Sequence, residues 1–176
     1  YARWGLPTTV IGNPALQRLH KGDGAASRRR HGLLADASVV GLMPGSRKSE
    51  VRRVAPALFD AAKRVSARDG RRKVVCMVAP SVASDVAQMA REQGGGFVLV
   101  RDEAEKADAF AAMDIALACS GTVTTELASQ GAAVIVGYKL GWVTWALARA
   151  FLMRSKFITL LNVAAGREIA PEFVQT

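Results

Sequence analysis

Short apolar runs of strand length alternate along this chain with stretches of helical periodicity, and that alternation restricts the fold more than any other feature. The runs are Ser38-Val39-Val40, Lys73 to Val78, Phe97 to Val100, Ile115 to Ala118 and Ala133 to Val136. Continuously apolar strands such as Lys73 to Val78 are covered on both faces, and intervening helices bring the chain back for parallel pairing. The expected fold is α/β, with a doubly wound parallel sheet. Helices are predicted over Ser49 to Arg68, from a Ser84 cap to Gln93, over Glu103 to Met113, and over Thr124 to Gln130. Pro56 falls inside the first of these and should kink it or move its start. Gly94-Gly95-Gly96 ends the second. Upstream, Thr8 to Ile11 reads as a short strand stopped by Gly12-Asn13-Pro14. Gly22-Asp23-Gly24 and the arginines after it read as a mobile surface segment.

A chain of 176 residues is long enough to bury a core, and one domain is the default. It begins at Tyr1 without a methionine and stops at Thr176 in what reads as a continuing element, so the expectation is a piece of a longer protein. The formal charge of +9 implies attraction to something acidic: nucleic acid, an anionic bilayer or a phosphorylated substrate. Much of the excess lies in Arg28-Arg29-Arg30 and Arg71-Arg72-Lys73, read as solvated loops. With 6% aromatic residues and no RNP-like or zinc-finger pattern, nucleic acid is not the expected partner. Cys76 and Cys119 stand in apolar runs without ligand spacing and read as small buried hydrophobes. The apolar region Leu140 to Leu161 is interrupted by Arg149, Arg154 and Lys156, which is wrong for a spanning helix.

Three stretches carry chemistry. Gly41-Leu42-Met43-Pro44-Gly45-Ser46-Arg47-Lys48-Ser49-Glu50 leads from a strand into a helix, an arrangement that sets oriented backbone N–H groups and an arginine at the sheet's carboxyl edge. A phosphate is the natural guest, although the spacing matches neither a Walker A loop nor G-x-G-x-x-G. An ordinary strand-to-helix turn with a solvated arginine is the plain alternative. The second stretch, Cys119-Ser120-Gly121-Thr122-Val123-Thr124-Thr125-Glu126, follows another strand. There Ser120, Gly121 and Thr122 suit phosphate oxygens, and Glu126 is able to accept both hydroxyls of a ribose. Equally, Ser120 or Thr124 serves as a helix cap and Glu126 favours the helix dipole. The third stretch, Leu161 to Glu168, sets Asn162, Arg167 and Glu168 where they either read a sugar or cap and pair within a final helix.

Taken together, Met43 to Val51, Ser120 to Ala128, Val136-Gly137-Tyr138-Lys139 and Leu161 to Glu172 resemble the lipid-A-disaccharide synthases, glycosyltransferases of the two-Rossmann-domain GT-B type. The order and spacing of these motifs cover the chain from Thr9 onward. Two positions depart from the family pattern: Asn13, where histidine is common, and Leu161, where proline usually precedes Asn162. The resemblance implies a Rossmann-like domain that forms one half of a GT-B architecture. Residues 15–176 would be the UDP-sugar donor-binding domain, and residues 1–14 a linker and first strand from a preceding domain. The amino-terminal acceptor domain, with the general base, and the final tail would lie outside this sequence.

The implied reaction moves an acylated glucosamine from a UDP-linked donor to an acylated glucosamine 1-phosphate, forming a lipid A disaccharide and releasing UDP. Gly45, Ser46, Arg47, Ser120, Gly121 and Thr122 would hold the donor diphosphate, Glu126 the ribose, and Asn162, Arg167 and Glu168 the sugar or nearby donor groups. The fragment alone would not transfer sugar. No cofactor is implied and no metal is expected, since the sequence has no Asp-x-Asp. The rivals are a peptidoglycan-precursor N-acetylglucosaminyltransferase, a UDP-sugar epimerase, and a non-catalytic polyanion- or nucleotide-binding module. The implied location is cytoplasmic, peripheral to the inner membrane of a Gram-negative bacterium, with oligomerisation left open. An anionic membrane surface would be met by Trp142, Trp145, Ala146, Leu147, Phe151 and Leu152, flanked by Arg149, Arg154 and Lys156. A core helix packed on the sheet is the alternative for that stretch.

Overall fold

The computed structural model describes residues 4–9, 20–119, 121–139, 141 and 156–174. Six parallel strands form one sheet in the order β3-β2-β1-β4-β5-β6. They are β1 Val39–Met43, β2 Lys73–Met77, β3 Phe97–Val100, β4 Ile115–Cys119, β5 Ala133–Tyr138 and β6 Glu172–Val174. This is the doubly wound, Rossmann-like form expected of one half of a GT-B architecture. β1 is buried at every position because strands pair on both its edges and helices cover both its faces. β3, expected as a buried strand, is an edge strand and only partly covered. β6 was not anticipated: its Glu-Phe-Val is too short to show a periodicity.

The helices are α1 Gly24–Arg30, α2 Lys48–Arg53, α3 Ala55–Ala67, α4 Ala83–Glu92, α5 Lys106–Ala111, α6 Val123–Ser129 and α7 Leu160–Ala165. Pro56 does break the predicted long helix: α2 stops at Val54, and Pro56 sits in the first turn of α3, where its missing N–H costs no hydrogen bond. Ser84 is not a cap. A single 3-10 turn, Pro80–Val82, runs straight into α4 and supplies its first turn instead. One apolar cluster lies on each side of the sheet. The first joins Leu42, Phe59, Val74 and Leu117, and the second joins Val39, Val75, Phe110 and Leu127. Cys76 and Cys119 are buried thiols, and burial pushes the Cys76 pKa up to about 12.

The segment read as mobile, from Gly22 through the arginines, is instead an ordered helix. Asp23 caps α1 through the Ala26 N–H at 2.9 Å. A Cβ at Gly22 would lie 2.0 Å from the Ala107 carbonyl oxygen, and one at Gly24 2.4 Å from that of Ala111, so glycine lets α1 lie directly on the α5 backbone. Arg28 is not a solvated charge either. Its guanidinium donates to the carbonyls of Ala37 at 2.6 Å and Ala112 at 3.0 Å and reaches Asp114 at 3.5 Å. Gln130 fixes the incoming chain, accepting from Gly22 N–H at 2.9 Å and donating to the His20 carbonyl at 2.7 Å. Thr8 and Thr9 are not in a strand; the rest of that expected element, with Asn13, lies outside the described residues.

Candidate functional site

The strand order reverses between β1 and β4, and chains leaving two such strands in opposite directions open a crevice at the carboxyl edge. A cleft of about 480 Å³ lies there. Gly45, Ser46, Arg47 and Glu50 line it from the β1 side, and Gly121, Thr122 and Glu126 from the β4 side. The two glycine-bearing turns therefore share one cavity.

On the β1 side, Glu50 folds back over the turn. Its Oε2 accepts from the backbone N–H of Ser46 at 3.1 Å and of Arg47 at 3.2 Å, and its Oε1 pairs with the Arg47 guanidinium. Gly45 permits this: its φ is +105°, and a Cβ would sit 2.8 Å from the Glu50 Cβ. These backbone donors, expected to meet a phosphate, thus already hold a carboxylate of the same chain, while the Arg47 side chain remains 75% exposed at the mouth of the cleft. Gly41 belongs to β1 and not to the turn, and Met113 Sδ occupies the space where its side chain would be. Ser81 Oγ donates to the Ser46 carbonyl at 2.7 Å and ties the loop after β2 to this turn.

On the β4 side, Thr122 is the N-cap of α6 and is exposed; its hydroxyl makes no capping bond. Thr124 is buried and donates to the Gly121 carbonyl at 2.8 Å, shaping the turn from within. Ser120 lies outside the described residues. Glu126, in the first turn of α6, presents a largely buried carboxylate to the cleft, and its Oε2 lies 2.8 Å from Lys106 Nζ. Lys106, at the start of α5, also reaches Glu103 at 3.0 Å. Burial works against the Lys106 charge, but the hydrogen bonds it donates to Glu126 and Glu103 outweigh it and hold its pKa above the usual lysine value.

Lys106, Glu103, Phe110 and the Met77–Ala79 loop were missed at the sequence level. Their signal was weak but present: in a sheet wound this way the helix after β3 returns to β4, so its first residue borders the crevice.

The third stretch stands apart from the cleft. Asn162 is fully buried, and its amide is fully used. Nδ2 donates to the Ala170 carbonyl at 2.7 Å and Glu172 at 2.8 Å, while Oδ1 accepts from Ile169 N–H at 2.8 Å and Ala170 N–H at 2.9 Å. No donor or acceptor is left for a sugar. Of the two alternatives for that stretch, the structure gives Asn162 the internal one. Arg167 and Glu168 are exposed and do not line the cleft. Glu172 also accepts from Ile158 N–H, Thr159 N–H and Thr159 Oγ1, at 2.7 to 2.9 Å. Burial alone would raise its pKa, but these donors pull it below the ordinary 4.5.

The chain matches the family model for LpxB, lipid-A-disaccharide synthetase, over residues 1–176. It belongs to the lipid-A-disaccharide synthetase family. A lipid-A-disaccharide synthase of Rhodospirillum centenum is 37% identical over 97% of this chain and 43% of its own length. One of Solibacter usitatus is 37% identical over 100% of this chain and 45% of its own length. The chain therefore spans less than half the length of the curated relatives it matches. Among solved structures, the E. coli ADP-heptose lps heptosyltransferase II superposes with a TM-score of 0.58 at 12% identity, covering 89% of this chain and 44% of that one, a likeness of fold. In this family member, the motif residues Arg47 and Glu126 both line the switch-point cleft.

Proposed function

We propose that residues 15–176 are the donor-binding domain of a hexosyltransferase of lipid A biosynthesis, joined through residues 1–14 to an amino-terminal acceptor domain. The complete enzyme would transfer an acylated glucosamine from a UDP-linked donor to an acylated glucosamine 1-phosphate and release UDP. The observation that carries this reading is the meeting of the two glycine-bearing turns, with Arg47 and Glu126, in one cleft of a chain that belongs to this family along its whole length.

The chemistry suits those groups. Cleaving a sugar–UDP bond builds negative charge on the departing diphosphate, and an exposed guanidinium stabilises that charge without moving a proton. Arg47 takes this part, assisted by the Gly121 and Thr122 turn and by Ser120. Because Glu50 fills the backbone donors of Ser46 and Arg47, the diphosphate meets the Arg47 side chain rather than the bare turn. Glu126 accepts the ribose hydroxyls.

Acylated substrates would bring the enzyme to a bilayer surface on the cytoplasmic side. Among the described residues no helix is long and apolar enough to cross a membrane. The tryptophan-bearing stretch 142–155 lies outside the described residues, and flotation with anionic vesicles tests it. Binding unchanged by Trp142→Ser with Trp145→Ser in a folded protein removes the membrane role.

Thermal-shift titration with UDP, ADP and GDP tests the donor reading. A stabilisation by UDP well above that by ADP and GDP is expected. Equal shifts that collapse together with added salt would instead mark a polyanion-binding module.

A further inference from the structure

The Lys106–Glu126 pair joins two elements with no motif in common. Lys106 opens α5, Glu126 sits in the first turn of α6, and both line the cleft. The lysine is held from several sides. Its Nζ lies 2.8 Å from Glu126 Oε2, 3.0 Å from Glu103 Oε1, and 5.8 Å from the centroid of the buried Phe110 ring. The two carboxylates are not equivalent. Glu103 is 71% exposed and free to swing into water, whereas Glu126 is 17% exposed and Lys106 28% exposed. The sheltered contact is therefore the one with Glu126.

A glutamate that is to accept two neighbouring hydroxyls must be ionised and held in one orientation, because a freely rotating carboxylate spends its binding energy on being ordered. Lys106 supplies that orientation. It occupies one oxygen, and no described residue bonds the other, Oε1. We propose that Lys106 is a positioning residue that fixes the Glu126 carboxylate for recognition of a ribose cis-diol, so that the pair, rather than the glutamate alone, separates ribonucleotides from 2′-deoxyribonucleotides. This rests on the donor-site reading above.

The test is calorimetric titration of the complete enzyme with UDP and with 2′-deoxy-UDP. The wild-type protein should prefer UDP by roughly tenfold, the scale of one hydrogen bond to a charged group. Lys106→Met should reduce that preference to about twofold or less while the protein stays folded, and Lys106→Arg should restore most of it. Glu126→Gln should lose it as well, and the double variant should lose no more than either single one. A Lys106→Met protein that weakens both nucleotides equally and keeps the preference shows a lysine acting on the diphosphate, and overturns the proposal. Failure of the wild-type protein to bind UDP at all would be the distinct failure of the donor-site reading.

Discussion

Glu50 returns its carboxylate to Arg47, taking the backbone N–H at 3.2 Å with one oxygen and the guanidinium with the other. This contact turns the loop after β1 from a set of open backbone anion donors into one whose donors hold a carboxylate of the same chain. Its arginine then points a positive face at the cleft without a loose backbone behind it.

Arg47→Ala should therefore weaken UDP binding of the complete enzyme by roughly ten- to a hundredfold, the scale of a charge-assisted hydrogen bond. Calorimetry measures it. An unchanged affinity removes Arg47 from the diphosphate site.

Glu50→Ala should act on stability first. It strips a buried acceptor from two backbone N–H groups at the start of α2, at a cost of about 1–2 kcal/mol. Urea denaturation reads this directly, and Glu50→Gln, which keeps an acceptor oxygen, should recover part of the loss.

Asn162→Ala should destabilise the fold by roughly 2–4 kcal/mol, because it leaves the Ile169 and Ala170 N–H groups without an acceptor and takes one of its donors from Glu172. UDP affinity of the folded fraction should not change. A selective loss of donor binding with an intact melting curve would return Asn162 to the sugar site.

Stability should also fall with acid through Glu172. Its folded pKa lies below the ordinary 4.5, so the unfolded chain takes up the proton first. The contribution is complete above about 4.5 and is lost as the pH drops through the folded value. Urea melts of wild type and Glu172→Gln between pH 7 and pH 3 should converge at the acid end. A constant gap across that range contradicts the assignment.

Gly22→Ala should cost about 1–3 kcal/mol, since the new methyl group meets backbone and not a side chain able to swing away. Ala at Gly70, where nothing lies within 4 Å of a built Cβ, is the control and should be nearly neutral.

Periodicity in the sequence was enough to determine the class of fold and the parallel winding, and Pro56 marked where the long predicted helix would be disturbed, though not that it would divide in two. These depend on local geometry: apolar runs of strand length, helical spacing and a missing N–H act within a few residues of themselves. The glycine-bearing turns and Glu126 were legible as candidates for the same reason, because a turn at a strand's carboxyl end has one place to go in such a sheet. Tertiary structure alone decided what each side chain does there. Glu50 occupies the Ser46 and Arg47 backbone donors only because Gly45 has no Cβ in its way. Arg28 became a half-buried brace through carbonyls of Ala37 and Ala112, one of them far along the chain. Asn162 was committed to Ala170 and Glu172, and Lys106 was brought to Glu126 by the packing of α5 against α6. A polar side chain reaches whichever partner the fold sets within about 3 Å. That distance depends on the path of the whole chain, which no local pattern of residues encodes.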